Sequence, residues 1–352
     1  MSQSSTLELA RASYREVSLY SPNRAPARVD LSDNTNLWGV PPAAARAIHS
    51  AATASITRYP PLYVEDVKKA IGGYLGGIPP EMIVTGCGSD DVLDSAIRAF
   101  AEPGDRIAVP DPSFAMIPIF ARLNGVEPIL IPLADKYEVD PEPFLESRAK
   151  IIYLCSPNNP TGTVVSRPVI ERLIDEAPGV VIIDEAYAEF AAGNCLDLLK
   201  RSPKVLITRT LSKAFGMAGL RIGYALGDPA LIAEVEKSRG PYKVNAIAER
   251  AAVAALTEDL SWVARHVQQA IENRERMVRV LRDMRLSPIP SEANFVLVPV
   301  PNAVAIDQAL RERGIAVRPF TALRGVGDAL RISVGPWVEV EECLSALEEV
   351  LG

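Results

Sequence analysis

The stretch TLSKAFGMAGLRIGY, residues 210–224, places one lysine among small and apolar residues. Lys213 is followed by seven uncharged residues, and Arg221 carries the next charge. If Lys213 is buried without a carboxylate, desolvation lowers the pKa of its amine towards neutrality and makes the amine nucleophilic. The alternative is a surface lysine whose stem lies on apolar neighbours before a glycine-rich turn.

The stretch follows the sixth of seven short β-branched runs, which alternate with helix-like segments from about residue 81 to 226. Several runs are apolar on both faces, as strands covered by helices on each side must be. The pattern is typical of an α/β domain with a mostly parallel sheet. The predicted strands are 82–85, 106–110, 128–133, 151–155, 180–184, 205–209 and 222–226, and the predicted helices between them are 89–102, 113–124 and 167–177.

A smaller α+β domain is predicted after Gly227, where long helices replace the alternating pattern. We expect an N-terminal arm over residues 1–30, a large cofactor-binding domain over 31–240 and a small C-terminal domain over 241–352, with the arm packing nearby. The predicted helices of this part are 229–238, 244–285 with a break near 257–259, 302–313 and 337–350, and strands are predicted in ANFVLVPV, IAVRPF and LRISVG.

Composition and net charge indicate which class of binding partner is expected. The chain has 352 residues, of which 48% are hydrophobic and 23% charged, which is typical of a globular protein with one large domain or two. A net charge of −7 without a basic run argues against nucleic acid or an anionic membrane as the main partner. Small diffusible substrates are expected.

Cysteine and histidine usage excludes several chemistries. The four cysteines show no CxxC spacing, so we expect neither a zinc site nor disulfides, and predict a reduced, cytoplasmic protein. We also expect neither export nor a membrane span, because no signal-like segment or run of 18 apolar residues occurs. His49 and His266 sit in helix-like stretches and are expected to be structural. Lysine, carboxylates or a cofactor must therefore supply any chemistry.

Ligands of an open α/β sheet bind beyond the carboxyl ends of its strands. The strand at 82–85 is followed by GCGSDD, residues 86–91, which opens a helix. Free N–H groups and the positive end of the helix dipole predict an anion site there, above all for phosphate. Helix capping by Ser89 or Asp90 is the alternative.

Three more side-chain types follow neighbouring strands. Asp184 ends the apolar run VVIID, where a carboxylate must be protonated or paired with a positive group, although capping is an alternative. Tyr187 lies three residues further on, and Asn159 lies in the turn SPNNPTG. Together with Lys213 and the anion site, they match what a phosphorylated pyridine aldehyde requires: an amine, a carboxylate for the ring nitrogen, donors for the 3-oxygen and a dianion site.

The sequence resembles the fold-type I pyridoxal-phosphate-dependent aminotransferases over nearly its whole length, and most closely their histidinol-phosphate branch. The resemblance implies transfer of an amino group from histidinol phosphate or a related amino acid to 2-oxoglutarate, a step of histidine biosynthesis. The motifs that carry it are RYP (58–60), GSDD (88–91), DPSFAMIPIFA (111–121), SPNNPTG (156–162), DEAY (184–187), the opening stretch, ANFVL (293–297) and LRISVG (330–335).

The resemblance also implies roles for individual residues. Lys213 would bind the cofactor aldehyde as a Schiff base and move a proton, and Asp184 would pair with the ring nitrogen. Tyr187 and Asn159 would donate to the 3-oxygen. The residues implied around the phosphate are Ser89, Asp90, Thr210, Ser212 and Arg221.

Aromatic and substrate-side residues are implied in the same way. Phe114 falls where the family stacks an aromatic ring, commonly a tyrosine, on the cofactor. Tyr59 matches a residue that reaches the phosphate of the other subunit, which implies a homodimer with shared active sites. The family's usual Asn-Glu reads Asn34-Thr35 here, which removes one acid from the substrate mouth. The residues implied on the substrate side are Arg331, its helper Arg318, Tyr20 and Asn34.

Other functions remain possible on this scaffold. A threonine-phosphate decarboxylase or a broad or aromatic amino-acid aminotransferase would have a similar cofactor shell. A pyridoxal-phosphate-sensing transcription regulator would carry an added basic DNA-binding domain, for which the arm is too short. A non-catalytic relic pocket would be expected to have lost Lys213 or Asp184, and both are present.

Overall fold

The computed structural model describes residues 9–15, 17, 25–54 and 56–352. Its strands are β1 (Val29–Asp30), β2 (Ile83–Cys87), β3 (Arg106–Asp111), β4 (Glu127–Pro132), β5 (Ile151–Cys155), β6 (Val180–Asp184), β7 (Val205–Thr210), β8 (Ile222–Gly227), β9 (Phe295–Pro299), β10 (Ile315–Ala316), β11 (Arg318–Leu323) and β12 (Gly327–Ser333). Its helices are α1 (Ala12–Arg15), α2 (Pro42–Ala54), α3 (Glu65–Tyr74), α4 (Gly88–Phe100), α5 (Met116–Leu123), α6 (Pro141–Glu146), α7 (Arg167–Glu176), α8 (Pro229–Ser238), α9 (Ala246–Glu258), α10 (Leu260–Asp283), α11 (Ala303–Glu312) and α12 (Trp337–Leu351).

Strands β2 to β8 form one seven-stranded sheet in the order β2-β8-β7-β6-β5-β3-β4. Strand β8 runs antiparallel to both of its neighbours, and the other adjacent strands pair in parallel. The predicted α/β fold with a mostly parallel seven-stranded sheet is therefore confirmed. Strands β5 and β6 have the predicted bounds, because both are short apolar runs that end at polar turns.

Both faces of this sheet are covered, which explains why its strands lack polar alternation. Successive side chains of a strand point to opposite faces, so Ile182 and Ile183 belong to two different hydrophobic clusters. Each of these isoleucines is fully buried, and such burial contributes about 1.5–3 kcal/mol per side chain. The loops at the edge of the sheet therefore stand on a core that is buried on both faces.

Side-chain hydrogen bonds lie at the ends of two of the predicted helices. The helix predicted at 113–124 begins at Met116, and the residues before it are held by Asn158, whose side chain accepts from Ser113 Oγ and donates to the Pro112 carbonyl. The long helix predicted at 244–285 is broken at Asp259, as expected. The carboxylate of Asp259 accepts from the N–H groups of Ala43 and Ala44 at 2.7 and 3.1 Å, and so caps α2 from a distance in sequence.

The C-terminal part carries a three-stranded antiparallel sheet, β11-β12-β9, which packs against α11, and α11 packs in turn against α12. Strand β1 pairs in parallel with β10, which joins the start of the chain to this part. Helix α1 instead lies against α5 of the large sheet, where Arg11 Nη1 donates to the Leu123 carbonyl at 3.5 Å. One hydrophobic cluster is continuous across both sheets, and the domain boundaries at residues 30 and 240 stay a prediction.

All four cysteines are free. In the part of the chain that the structure describes, no helix combines the length and the apolar character needed to cross a bilayer.

Candidate active site

A cavity of about 590 Å³ opens at the carboxyl ends of strands β5, β6 and β7. The last residues of these three strands, Cys155, Asp184 and Thr210, all line it, as expected where parallel strands end at one edge of a sheet. The predicted site residues among its lining are Asn34, Ser89, Asp90, Phe114, Asn159, Asp184, Tyr187, Thr210, Ser212, Lys213, Arg221 and Arg331.

Two of the predicted site residues that the structure describes do not line this cavity. Tyr59 is 81% exposed and stacks on Tyr242 with ring centroids 4.7 Å apart. Arg318 lies on β11 directly opposite Arg331 of β12, and does not line the cavity. Tyr20 lies outside the described residues.

The predicted anion site is closely packed at the start of α4. Gly88 has a φ of 81°, and a Cβ there would collide with the guanidinium of Arg221. Gly223 leaves room for the backbone N–H of Ser89 in the same way. The two glycines thus let a helix N-terminus and a guanidinium converge, which favours an anion such as phosphate.

Hydrogen bonds orient the side chains of this anion site. Arg221 Nη2 donates to Asp90 Oδ2 at 3.1 Å, and Thr210 Oγ1 donates to Ser212 Oγ at 2.9 Å. Neither Ser89 nor Asp90 is the N-cap of α4, which is Cys87, and the Cys87 side chain forms no cap bond. Asp91 Oδ2 accepts from the N–H of Cys87 at 3.0 Å. Ser89 and Asp90 therefore line the cavity without capping α4, and Asp90 is paired with Arg221.

Asp184 is almost completely buried and accepts three hydrogen bonds in the described part of the chain. Tyr153 Oη donates to Oδ2 at 2.8 Å, while Thr208 Oγ1 and the N–H of Ala186 donate to Oδ1 at 3.1 and 3.2 Å. Burial raises the pKa of Asp184 to about 6, against these hydrogen bonds, which lower it. No helix begins at Asp184, so its carboxylate is not a helix cap.

Lys213 lies at the cavity, not on the outer surface. Its Nζ donates to the backbone carbonyl of Asp33 at 3.1 Å and lies 5.8 Å from the ring centre of Tyr187. Burial, followed by the nearby charge of Arg331, lowers the pKa of Lys213 to about 8, while Asp33 and Asp90 oppose the shift. The amine therefore has a substantial neutral fraction near pH 8, as a nucleophile requires.

Side chains from distant parts of the chain complete the opposite wall. Asn34 Nδ2 donates to Tyr187 Oη at 3.1 Å, and burial raises the pKa of the Tyr187 phenol. Arg331 Nη1 donates to Asn159 Oδ1 at 2.6 Å, and its Nη2 donates to the Ser32 carbonyl at 2.8 Å. Arg331 thereby faces the cavity with a defined orientation.

Several lining or supporting residues were not predicted from the sequence. Tyr153 had a weak signal, since it is the one polar residue in the apolar run IIYLC. Asp33 contributes a backbone carbonyl, for which the residue type gives no signal. The other unpredicted lining residues are Thr35, Met116, Cys155, Ala186, Ala218 and Gly219.

Comparison with known proteins connects this geometry to a family. The family model described as aminotransferase class I and II matches residues 27–350. A histidinol-phosphate aminotransferase of Thermoanaerobacter sp. (strain X514) is 32% identical over 97% of this chain and 99% of its own length. One from Roseiflexus castenholzii is 38% identical over 92% of this chain and 89% of its own.

Solved structures show the same similarity. The histidinol-phosphate aminotransferase of Sinorhizobium meliloti, solved in complex with pyridoxal-5'-phosphate, superposes with a TM-score of 0.86 at 28% identity, over 95% of each chain. The aspartate aminotransferase of Thermus thermophilus, with maleate, gives a TM-score of 0.82 at 24% identity over 92% of each chain, a likeness of fold alone.

Proposed function

This chain belongs to the aminotransferase class I and II family, and on that premise we propose that it transfers the amino group of histidinol phosphate to 2-oxoglutarate. It is a pyridoxal-phosphate-dependent transaminase. The choice of donor is supported by relatives named histidinol-phosphate aminotransferase that match nearly the full length of the chain. The decarboxylase alternative is not favoured by any of these relatives.

The residues of the cavity fit pyridoxal phosphate. Gly88 and Gly223 let Arg221 lie close to the start of α4, where its charge and the backbone N–H groups are offered to a phosphate. The hydroxyls of Thr210 and Ser212 line the same cavity. Asp184 is a buried carboxylate without a cationic side chain among its hydrogen-bond donors in the described chain. A protonated ring nitrogen is the partner that such a carboxylate requires.

The single observation that carries the proposal is that Lys213 and Asp184 line one cavity together with this anion site. When bound, the cofactor supplies an aldehyde that accepts the donor's nitrogen and a ring that withdraws electrons from the donor's Cα. Lys213 Nζ would take the proton from the donor's Cα and then deliver it to the carbon that belonged to the cofactor's aldehyde. Asp184 would hold the ring nitrogen protonated, and Tyr187 and Asn159 would orient the ring through its 3-oxygen.

The substrate side of the cavity is proposed to recognise acids. Arg331 presents a guanidinium fixed by Asn159 and Ser32, and a planar fork of this kind binds a carboxylate or phosphate at two points. Thr35 leaves the mouth without the acid that the family usually has there, while Phe114 adds an apolar wall. Arg318 and Tyr20 stay predicted substrate-side residues.

The proposal is tested with a panel of amino donors against 2-oxoglutarate. Histidinol phosphate, phenylalanine, tyrosine and threonine phosphate are supplied in turn, and glutamate formation and carbon dioxide release are measured. We expect the highest kcat/KM for histidinol phosphate, with glutamate as product. A higher kcat/KM for an aromatic donor, or carbon dioxide from threonine phosphate, would contradict the proposed donor.

We also propose a cytoplasmic homodimer, with neither nucleic acid nor membrane as a partner. A group of exposed apolar side chains in residues 56–63, joined by Tyr242, supports the dimer, because a second copy would cover it. Tyr59 belongs to this group and would reach the partner's active site. The free cysteines are consistent with a cytoplasmic location, and the net charge of −7 is consistent with the absence of nucleic-acid and membrane partners.

The dimer is tested by sedimentation of two variants with matched exposure. Leu62 is 38% exposed within the proposed interface, and Leu351 is 39% exposed at the end of α12. Leu62→Glu is expected to shift the protein towards monomer, while Leu351→Glu leaves the dimer intact. A monomeric wild-type protein at micromolar concentration would contradict the proposal.

A further inference from the structure

Tyr153 lies inside the sheet, with its phenol against the carboxylate of Asp184. Residues 153 and 155 of β5 share one face, and in the register of the sheet Cys155 lies opposite Asp184. Thr208 of β7 lies opposite Asp184 on the other side. The carboxylate therefore sits between a hydroxyl from each neighbouring strand, one on each of its oxygens.

We propose that Tyr153 is a positioning residue that holds the Asp184 carboxylate ionised and oriented for its contact with the cofactor's ring nitrogen. The inference rests on the proposed cofactor roles. Its geometric basis is the 2.8 Å bond from a fully buried phenol to Asp184 Oδ2. A hydrogen bond donated to a carboxylate stabilises the charged form, and a buried carboxylate needs that stabilisation because burial favours the neutral acid.

The effect of Tyr153 on the ring nitrogen depends on which of two groups, the nitrogen or Asp184, holds one proton. A single proton is shared between the ring nitrogen and Asp184 when the two form a pair. Each hydrogen bond to the carboxylate lowers its affinity for that proton and so leaves the proton on the nitrogen. Removal of the Tyr153 hydroxyl would shift the proton towards Asp184 and weaken the electron withdrawal on which the reaction depends.

Other groups near Asp184 act in different ways. Asp90 of α4 raises the pKa of the carboxyl through its charge, and the Cys155 thiol and Tyr187 phenol face it as neutral groups whose pKa burial has raised. Thr208 and the N–H of Ala186 donate to Oδ1, so Tyr153 is the side-chain donor to Oδ2 in the described chain. The other charged groups that line the cavity are Asp33, Lys213, Arg221 and Arg331.

The first test uses the full chain without cofactor, so that it does not depend on the proposed function. Aspartate is labelled with 13C at its carboxyl, and the Asp184 signal is assigned by its loss in Asp184→Asn. In Tyr153→Phe we expect the pKa of Asp184 to rise by about one unit, since a hydrogen bond to a charged group is of that order. An unchanged pKa in Tyr153→Phe would overturn the proposal.

Tyr224 supplies a matched control. It is a tyrosine of β8, as fully buried as Tyr153, and its hydroxyl is not among the donors to Asp184. In Tyr224→Phe the pKa of Asp184 is expected to stay at its wild-type value. An equal rise in both variants would mean that loss of any buried hydroxyl is sufficient, and would refute the specific role of Tyr153.

The second test uses protein loaded with pyridoxal phosphate labelled with 15N in its ring. At fixed neutral pH we expect the ring-nitrogen signal of Tyr153→Phe to move towards the unprotonated position, while that of Tyr224→Phe does not. A signal at the wild-type position in loaded Tyr153→Phe would overturn the proposal. Wild-type protein that takes up no cofactor would instead contradict the proposed function, so the two failures are distinguishable.

A third measurement covers the case in which Tyr153→Phe does not fold. Site-specific replacement of Tyr153 by 3-fluorotyrosine keeps the hydroxyl and makes it a more acidic, stronger donor. The pKa of Asp184 in the cofactor-free chain is then expected to fall below its wild-type value. An unchanged or higher value in this variant would refute the proposal.

Discussion

Arg331 of β12 donates to Asn159 of the loop after β5, with 2.6 Å between Nη1 and Oδ1. This bond joins a residue of the C-terminal sheet to a residue that follows a strand of the large sheet, and both line the cavity. A proposed substrate-binding side chain is thereby tied to a proposed cofactor-binding side chain. The orientation of the fork depends on the packing of both sheets.

Replacement of Arg331 by lysine should therefore affect both half-reactions. Lysine keeps the charge but loses the two-point fork, so KM for the amino donor and for 2-oxoglutarate should each rise about 10- to 100-fold. Steady-state kinetics with both substrates measures the effect, with the more exposed Arg313→Lys as the control. Unchanged KM values for both substrates would remove Arg331 from substrate binding.

Lys213→Ala should abolish turnover without unfolding the chain. The proposed proton transfer has no other amine at this position, so we expect kcat to fall at least about 10³-fold. Lys237, an exposed lysine of α8 paired with Glu234, provides Lys237→Ala as a control with normal activity. Circular dichroism checks the fold of both variants. Substantial turnover by folded Lys213→Ala would rule out its proposed role.

Asp184→Asn should slow the reaction by about 10²- to 10⁴-fold, because a neutral amide cannot hold the ring nitrogen protonated. Cofactor uptake should continue, since the phosphate site is unaltered. Asp197, an exposed aspartate paired with Arg167, supplies Asp197→Asn as the control. A rate equal to that of the wild type in loaded Asp184→Asn would reject the pairing.

The cofactor-free protein should lose stability as pH rises through the range that ionises Asp184. Burial raises the folded-state pKa of this carboxyl to about 6, above the unfolded value of about 4, so the folded chain binds the proton more tightly. Stability attributable to Asp184 is therefore fully present below about pH 4 and is lost as pH rises to about 6. The loss is of the order of 3 kcal/mol.

Urea unfolding of cofactor-free wild type and Asp184→Asn between pH 4 and 7 measures this dependence. The free energy of unfolding of the wild type should fall relative to that of the variant as pH rises, because asparagine does not titrate. Parallel pH profiles for the two proteins would show that Asp184 ionises in the folded chain as it does in the unfolded one.

Gly88→Ala should weaken cofactor binding. A Cβ at this position would displace the Arg221 guanidinium, and the φ of 81° disfavours any side chain. We expect the dissociation constant for pyridoxal phosphate to rise at least about tenfold, measured by titration of the cofactor-free chain. Gly73 of α3 has open space around it, so Gly73→Ala should bind the cofactor normally. Equal affinity in both variants would exclude the packing argument.

Much of the large sheet was predictable because its signals are local. An apolar run with a polar residue at its end identifies a buried strand and the residue that it delivers to the cavity, as in Asp184. The start of α4 was recognisable because a glycine-rich turn that opens a helix is typical of an anion-binding site. Lys213 stood out because its neighbours carry no charge. The resemblance to a family assigned roles that these local signals could not.

Other parts of the site depend on contacts that no local pattern encodes. The bond from Tyr153 to Asp184 requires the register between β5 and β6, and the contact of Lys213 is with the backbone carbonyl of Asp33, which every residue type possesses. The break at Asp259 was visible in the sequence. The role of Asp259 as the cap of α2 was not visible in the sequence, because Asp259 and the start of α2 meet only through tertiary packing.

The sequence by itself determined that the seven strands of the large sheet form, that Cys155 and Asp184 end two of them, and that an amine, a carboxylate and a predicted anion site suit one chemistry. Periodicity and residue type are properties of neighbours in the chain. Tertiary structure alone decided the protonation of these groups. Burial pulls the pKa of Lys213 down and that of Asp184 up, and the side chains that oppose or add to these shifts arrive from strands and loops far apart in sequence.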